Sequence, residues 1–131
     1  MQMERKKLAK MIDHTLLDPS ATRDSIERLC QEAKAYEVHS VCINPSWVPL
    51  AVSLLRGSDI KVCSTVGFPL GASLPEVKAF EAATVVSLGA HEVDMVINIG
   101  ALKSQDLQAV RHEISLVVKA SKGLPAKVII E

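Results

Sequence analysis

The chain has 131 residues, the size of one compact domain and too short for two large ones. Fifteen Lys and Arg residues balance fifteen Asp and Glu residues, so the formal net charge is zero and the basic excess typical of a nucleic-acid partner is missing. Apolar residues make up 48% and charged residues 23%, which indicates a folded globular domain rather than a disordered chain.

The cysteine content indicates a reducing compartment. Cys30, Cys42 and Cys63 form no CxxC pair, and an odd number leaves one thiol over from any disulfide. No apolar run approaches the roughly 18 residues that a membrane span needs. We therefore expect a cytoplasmic protein with reduced thiols and no membrane partner.

Four short β-branched segments recur along the chain and predict strands. They cover residues 38–43, 60–66, 93–99 and 127–130. Each is largely apolar at both odd and even positions, as expected of strands that are covered on both faces of a sheet.

Three longer segments alternate with these strands and have the apolar spacing of helices with one buried face. The predicted buried faces are Ile26, Leu29, Cys30 and Ala33; Val77, Phe80, Thr84 and Leu88; and Leu107, Val110, Ile114, Val117 and Val118. The alternation predicts a single α/β domain over residues 1–131 with a parallel sheet and right-handed crossovers. Two architectures fit: a small doubly wound sheet, or part of a (β/α)8 barrel, which in full needs about 250 residues.

The most informative candidate for chemistry is Asp94, which lies within an apolar predicted strand. If Val93 and Met95 face the helices, Asp94 faces the other way, which in a barrel is the interior. A buried carboxylate needs a partner, so Asp94 is either a structural hydrogen-bonding residue or a general acid/base whose properties are set by burial and a nearby cation.

Lys127 opens the last predicted strand and has the parity that points it toward Asp94. It is either one half of an ion pair or, if burial lowers its pKa, a Schiff-base nucleophile.

Cys42 lies late in the first predicted strand, where a thiol serves either as a small apolar side chain or as part of a pocket wall.

Other motifs carry weaker signals. The glycines and proline of residues 67–71 permit a close backbone approach to a ligand, but such residues also make turns. Neither GxGxxG nor GxxxxGK[ST] occurs, which argues against a nucleotide cofactor. The four histidines lack the spacing of a zinc site, so we predict no metal.

Several of these segments together resemble deoxyribose-phosphate aldolase, a class I aldolase of deoxynucleoside catabolism. The matching stretches are residues 12–17 (IDHTLL), 41–45 (VCINP), 66–72 (VGFPLGA), 89–98 (GAHEVDMVIN) and 127–131 (KVIIE). The resemblance implies a TIM-type (β/α)8 barrel, of which this chain is the N-terminal half with four strands. It also implies reversible cleavage of 2-deoxy-D-ribose 5-phosphate to acetaldehyde and D-glyceraldehyde 3-phosphate, with no cofactor.

The resemblance also assigns residues. It implies that Asp94 is catalytic and moves protons through an ordered water, and that Asp13, Thr15, Cys42 and Lys127 belong to the substrate pocket. The family's Schiff-base lysine lies in a Lys-Thr-Ser-Thr-Gly type motif, and no such motif occurs in these 131 residues. We therefore expect the isolated chain to be inactive.

Half a barrel leaves strand edges unpaired, and unpaired edges recruit partners. We expect a homo-oligomer, in which two chains could complete one barrel. The alternative function is a non-catalytic half-barrel scaffold that assembles through these edges without binding a sugar phosphate.

Overall fold

Five parallel strands form one sheet in the computed structural model, which describes residues 2–131. The strands are β1 (Asp13–Leu16), β2 (Ser40–Ile43), β3 (Lys61–Val66), β4 (Glu92–Val96) and β5 (Ala126–Ile129). The helices are α1 (Gln2–Ala9), α2 (Arg23–Tyr36), α3 (Val48–Leu54), α4 (Pro75–Ser87), α5 (Ile99–Lys103) and α6 (Leu107–Ala120), and a 3₁₀ turn, Pro45–Trp47, precedes α3.

Sheet order decides between the two architectures that the sequence left open. The spatial order β1-β2-β3-β4-β5 is the order of the chain, whereas a doubly wound sheet reverses direction at a switch point. One apolar core joins alternate residues of the strands, such as Val41 and Val93, to inward residues of α2, α3, α4 and α6. The helices therefore cover one face of the sheet, and the predicted α/β barrel-type class is confirmed.

The predicted number of strands was wrong, because the structure has five and not four. The additional strand, β1, pairs with β2 in the register Asp13↔Ser40 to Leu16↔Ile43. Its sequence, DHTL, contains one large aliphatic residue, so it lacks the β-branched run by which the other strands were recognised. Among residues 2–131, β1 and β5 are the edge strands of the sheet.

Helices α2, α5 and α6 begin at residues whose side chains accept a hydrogen bond from a free N–H group of the first turn. Thr22 caps α2, and its hydroxyl accepts a hydrogen bond from the Ser25 backbone N–H at 3.3 Å. Asp106 caps α6, and its carboxylate accepts from the Ala109 N–H at 3.0 Å.

The predicted inner face of α2 is confirmed, since its four apolar residues are all buried. The predicted inner face of α4 was wrong: Val77, Phe80 and Leu88 are 51%, 75% and 43% exposed, and Thr84 is exposed too. The buried residues of α4 are Lys78, Ala82 and Val85. The bulkiest apolar residues of α4 do not face the core, because the small Ala82 and the charged Lys78 occupy its buried face.

The predicted face of α6 was right at Val110 and Val117, but Leu107 and Val118 are 63% and 50% exposed.

The sheet is strongly curved. Adjacent strands lie about 4.8 Å apart, so β1 and β5 of a flat five-stranded sheet would be separated by roughly 19 Å. Lys127 of β5 nevertheless contacts Asp13 of β1 at 2.5 Å. The face of the sheet away from the helices is therefore concave, and we call it the concave face.

No helix among residues 2–131 combines the length and the apolar character that crossing a bilayer requires.

Candidate active site

Polar side chains are gathered on the concave face because the strands alternate in character. Register pairs such as Cys42↔Cys63 and Asp94↔Lys127 place residues of the same parity side by side. The intervening residues belong to the helix-side core. The concave-face residues discussed below are Asp13, Ser40, Cys42, Cys63, Glu92, Asp94 and Lys127.

Lys127 lies at the centre of this group. Its Nζ is 2.5 Å from Asp13 Oδ2, 3.4 Å from Asp94 Oδ1 and 3.5 Å from Glu92 Oε2. The Asp13 carboxylate also accepts a hydrogen bond from the Ser40 hydroxyl at 2.5 Å. One ammonium thus faces three carboxyl groups, so acidic side chains outnumber the lysine in this cluster.

Those contacts shift the pKa values of the central pair in opposite directions. Partial burial alone would lower the pKa of Lys127, but the hydrogen bond to Asp13 and the nearby charge of Asp94 raise it overall. Burial would likewise raise the pKa of Asp13, yet hydrogen bonds from Lys127 and Ser40 lower it. Lys127 is therefore protonated at neutral pH, which favours the ion-pair interpretation over a Schiff-base nucleophile.

Asp94 is 9% exposed and has two unlike oxygens. Its Oδ2 faces the Cys42 thiol, which donates across 3.8 Å. Its Oδ1 is buried, lies 3.4 Å from Lys127 Nζ and accepts no hydrogen bond from residues 4–131. This oxygen therefore interacts with Lys127 through charge alone.

Two groups on this face have the atoms that a metal ion could bind. Cys42, Cys63 and Asp94 bring their ligand atoms within 4.8 Å of one another, and so do Asp13, His39 and Glu92. The Lys127 ammonium contacts a carboxylate of both groups, and His39 Nε2 is 2.6 Å from Glu92 Oε1. A hydrogen bond with Cys42, together with burial, raises the pKa of the Cys63 thiol, which disfavours the thiolate that a metal needs.

Thr15 stands apart from the other predicted site residues. It is exposed, and its hydroxyl donates to the Asp13 carbonyl at 2.9 Å rather than to the cluster. The structure thus brings together Asp13, Cys42, Asp94 and Lys127. Thr15 is the register partner of Cys42, but its hydroxyl is used within β1.

A second charged pair, which the sequence analysis missed, lies on the helix side. Lys78 Nζ donates to Glu113 Oε2 at 2.6 Å and to the Val96 carbonyl at 2.9 Å, and both side chains are at most 1% exposed. Glu113 Oε1 accepts from the Asn98 N–H at 2.6 Å. The pair therefore holds the C-terminal end of β4, two residues beyond Asp94. The sequence could have indicated that Glu113 is buried, because it lies three residues after Val110 and four before Val117, on the same face of α6.

Gly67 and Gly71 allow the loop between β3 and α4 to pack closely against Lys78 and the end of β4. Gly67 and Gly71 have φ of +64° and +63°, which favour glycine. A Cβ at Gly67 would lie 3.1 Å from the Lys78 side chain, and one at Gly71 would lie 2.2 Å from the Ile97 carbonyl oxygen. The loop therefore presses directly on the end of β4 and on Lys78.

Comparison with known proteins agrees with the motifs. Deoxyribose-phosphate aldolase of Streptococcus gordonii is 58% identical over 125 residues, which cover 95% of this chain and 57% of that protein. The aldolase of Halalkalibacterium halodurans is 56% identical over 128 residues, with 96% and 57% covered. The chain is homologous to the N-terminal portion of deoxyribose-phosphate aldolases. It spans a little over half the length of the curated relatives it matches, and no family model matches it.

The solved structures lead to the same family. A deoxyribose phosphate aldolase of Aeropyrum pernix, described as a unique tetramer, superimposes with a TM-score of 0.85 at 36% identity. The match covers 96% of this chain and 55% of that one. The resemblance to deoxyribose-phosphate aldolase is thereby confirmed, and the five-stranded sheet corresponds to part of an aldolase barrel.

Proposed function

We propose that this chain forms the N-terminal part of an aldolase that reversibly cleaves 2-deoxy-D-ribose 5-phosphate to acetaldehyde and D-glyceraldehyde 3-phosphate. The observation that carries the proposal is the placement of Asp94. In a homologue of these aldolases, a 9%-exposed carboxylate projects from the concave face beside an ammonium and a thiol. Such a group can take up and return a proton during carbon–carbon cleavage.

Each neighbour has a proposed part in that step. Lys127, protonated and held by Asp13, supplies positive charge next to Asp94 and helps to hold the anionic substrate in the pocket. Cys42 orients the carboxylate through Oδ2 and leaves Oδ1 for proton exchange. Thr15 is proposed to line the outer part of the pocket, since it is exposed and paired with Cys42.

We further propose that the Schiff-base lysine is not among these 131 residues. Two of the chain's lysines lie near β4, and both are engaged: Lys127 is ion-paired with a raised pKa, and Lys78 is fully buried against Glu113. Imine chemistry supplies its own electron sink, so the proposed reaction uses neither a metal nor an organic cofactor.

Borohydride trapping tests the location of the nucleophile. The chain is incubated with 2-deoxy-D-ribose 5-phosphate and sodium borohydride, and adducts are measured by mass spectrometry. We expect no stoichiometric adduct. An adduct that forms on the wild type and disappears in Lys127→Arg, which keeps the charge but cannot form an imine, would make Lys127 the nucleophile and contradict the proposal.

The role of Asp94 is tested in a reconstituted enzyme. The chain is co-expressed with the C-terminal part of the Streptococcus gordonii aldolase, and turnover of 2-deoxy-D-ribose 5-phosphate is measured. Asp94→Asn should lower turnover about 10²- to 10⁴-fold, the usual contribution of a positioned acid/base group. The matched control is Asp18→Asn, a surface carboxylate that is fully exposed. Turnover that survives in Asp94→Asn would remove Asp94 from the mechanism.

A second candidate function is a scaffold that assembles through strand edges. Within residues 2–131, β1 and β5 each have one hydrogen-bonded neighbour, and the edge of a sheet is a template for another strand. We propose a homo-oligomer in which chains complete a barrel between them, and the tetrameric Aeropyrum pernix relative supports self-association. Sedimentation should show a dimer or larger species at micromolar concentration, whereas a cooperative monomer would contradict it.

We propose the cytoplasm as the compartment, without nucleic-acid or membrane partners. The buried, unpaired thiols of Cys30, Cys42 and Cys63 support a reducing environment. Thiol titration of the unfolded purified chain should give three free thiols. Fewer than three would indicate oxidation and weaken the assignment.

A further inference from the structure

Cys42 and Cys63 are neighbouring thiols on the concave face. They are register partners on the adjacent parallel strands β2 and β3, so their Cα atoms lie about 4.8 Å apart. This separation falls within the range of about 4.4–6.8 Å that disulfide-linked residues span. A hydrogen bond joins the two thiols, and their sulfur atoms lie within 4.8 Å of each other. Rotation of the two side chains can therefore bring the sulfurs into bonding contact while the strands stay paired.

The third thiol is similarly buried but has no thiol beside it. Cys30 is 1% exposed and belongs to α2 and the helix-side core, whereas Cys42 and Cys63 lie on the other face of the sheet. All three cysteines are free. Cys30 therefore provides an internal comparison, in which burial is matched and only the neighbouring thiol is missing.

The surroundings of the paired thiols give them different parts in an oxidation. Cys42 retains 4% exposure, and its thiol donates to Asp94 Oδ2 across 3.8 Å, so a carboxylate is in place to receive its proton. Cys63 is completely buried, and its pKa, raised by the hydrogen bond with Cys42 and by burial, keeps it in the thiol form. We therefore expect a small oxidant to react at Cys42 first and Cys63 to close the disulfide.

We propose that Cys42 and Cys63 form a modification site, an oxidisable dithiol that hydrogen peroxide converts into a disulfide between β2 and β3. In the first step the Cys42 sulfur attacks one peroxide oxygen, the O–O bond breaks, and the thiol proton leaves with the released hydroxide as water. Cys42 is then a sulfenic acid, oxidised by two electrons, and the peroxide is reduced. In the second step the Cys63 sulfur bonds to the Cys42 sulfur, and the Cys63 proton leaves with the sulfenic hydroxyl as a second water.

The disulfide changes the candidate active site. Within residues 4–131, the Cys42 thiol is the hydrogen-bond donor to Asp94 Oδ2, and Asp94 Oδ1 has none. Oxidation removes this donor and leaves the carboxylate beside Lys127 alone. Any effect on turnover rests on the proposed aldolase function, whereas formation of the disulfide does not.

Peroxide oxidation of the folded chain tests the proposal, because trypsin separates the three cysteines. Cys30, Cys42 and Cys63 lie in the tryptic peptides 29–34, 35–56 and 62–78. The reduced chain is treated with hydrogen peroxide at neutral pH and unfolded, and its free thiols are blocked with N-ethylmaleimide before mass spectrometry. We expect one blocked thiol instead of three, and a link between peptides 35–56 and 62–78 that is several-fold more abundant than any link to peptide 29–34. Dithiothreitol should restore all three thiols.

Three variants assign the steps. Cys63→Ala should stop at a Cys42 sulfenic acid, which dimedone traps, and Cys42→Ala should leave Cys63 reduced. The matched control, Cys30→Ala, should form the same link as the wild type. In chains labelled at the Asp carboxyl carbons, the NMR resonance of Asp94 should shift on oxidation of the wild type and of Cys30→Ala, and Asp94→Asn assigns that resonance.

The proposal is overturned if the folded chain keeps three blockable thiols under peroxide that oxidises the urea-unfolded chain. Links to Cys30 as abundant as the Cys42–Cys63 link would overturn it too, because oxidation would then occur in unfolded chains. An unchanged Asp94 resonance in the disulfide form would contradict the effect on the candidate active site. Failure of the aldolase function gives a different result: the reconstituted enzyme shows no turnover, but the link and the Asp94 shift remain.

Discussion

Lys127 and Lys78 meet carboxylates on opposite faces of the same sheet, and their surroundings differ in two ways. The Lys127 side chain is 43% exposed and has three carboxylates within 3.5 Å. The Lys78 side chain is inaccessible to solvent and has one carboxylate, Glu113, together with a backbone carbonyl. The first cluster has three carboxyl groups for one lysine, whereas the second has one of each.

This difference follows from hydration. A buried ion loses several kcal/mol of solvation, so Lys78 and Glu113 are tolerated only as a matched pair with their remaining hydrogen bonds made. On the concave face, the Lys127 and Asp13 side chains are 43% and 31% exposed, so their charges keep part of their hydration. A partly hydrated cluster can take part in proton exchange, whereas the fully buried Lys78–Glu113 pair fixes the end of β4.

Breaking the buried pair should have the largest effect on stability. Lys78→Met leaves the Glu113 carboxylate buried without its cation, and we expect the free energy of unfolding to fall by about 3–5 kcal/mol. Urea denaturation followed by circular dichroism measures this loss. The exposed Lys6–Glu37 pair provides the control, and Lys6→Met should cost no more than about 1 kcal/mol.

A double variant sharpens that measurement. Lys78→Met/Glu113→Leu replaces both charges by apolar groups of similar size, so most of the lost stability should return. If Lys78→Met were no more destabilising than Lys6→Met, the pair would not be buried as described. The contrast with Lys127 would then fail.

The sequence predicted that Asp94 and Lys127 are neighbours because successive side chains of a strand point to opposite faces of the sheet. Asp94 and Lys127 each interrupt an apolar strand, and a period of two places them on one face once the strands are adjacent. Asp13 and Cys42 were recognised through the resemblance to the aldolases. The contact between Asp13 and Lys127 could not be predicted from spacing, because it depends on the curvature of the whole sheet.

The helix side was harder to predict, since hydrophobicity was the main signal. Glu113 and Lys78 occupy core positions of their helices, but a charged residue in a buried stripe can be recognised only when its partner on another helix is known. The polar strand β1 was missed for a related reason: pairing with β2, rather than its own composition, makes it a strand. Tertiary context outweighed local propensity in both cases.

The ion pair on the concave face should respond to pH at both ends of the range. The pKa of Asp13 is lowered from its ordinary 3.8, so its stabilising effect is present above that value and is lost as the pH falls through the folded-state pKa. The pKa of Lys127 is raised from 10.5, so its effect is present below that value and is lost as the pH rises through the folded-state pKa. Asp13→Asn should therefore cost stability mainly between these limits, by about 1 kcal/mol because the pair is partly exposed.

Urea denaturation of the wild type and Asp13→Asn across pH 2 to 9 measures the acid limit of that window. The difference in unfolding free energy should be constant from neutral pH to pH 9, because the folded-state pKa of Lys127 lies above this range, and should shrink as the pH falls below the ordinary Asp value of 3.8. Asp18→Asn at a fully exposed site is the matched control for the substitution and should cost less stability at neutral pH. A constant difference at every pH would mean that Asp13 acts through packing and not through its charge.

The smallest effect tests the orientation of α4, on which the contrast between the two lysines depends. Successive helix residues are about 100° apart, so Phe80 and Lys78 lie on opposite sides and cannot both face the core. Phe80 is 75% exposed, so Phe80→Ser should change the free energy of unfolding by no more than about 0.5 kcal/mol. Val85→Ala, at a fully buried position on the Lys78 side, should cost clearly more because it leaves a cavity. The reverse order in urea denaturation would mean that α4 is turned with Phe80 inward, and Lys78 would then be a surface residue.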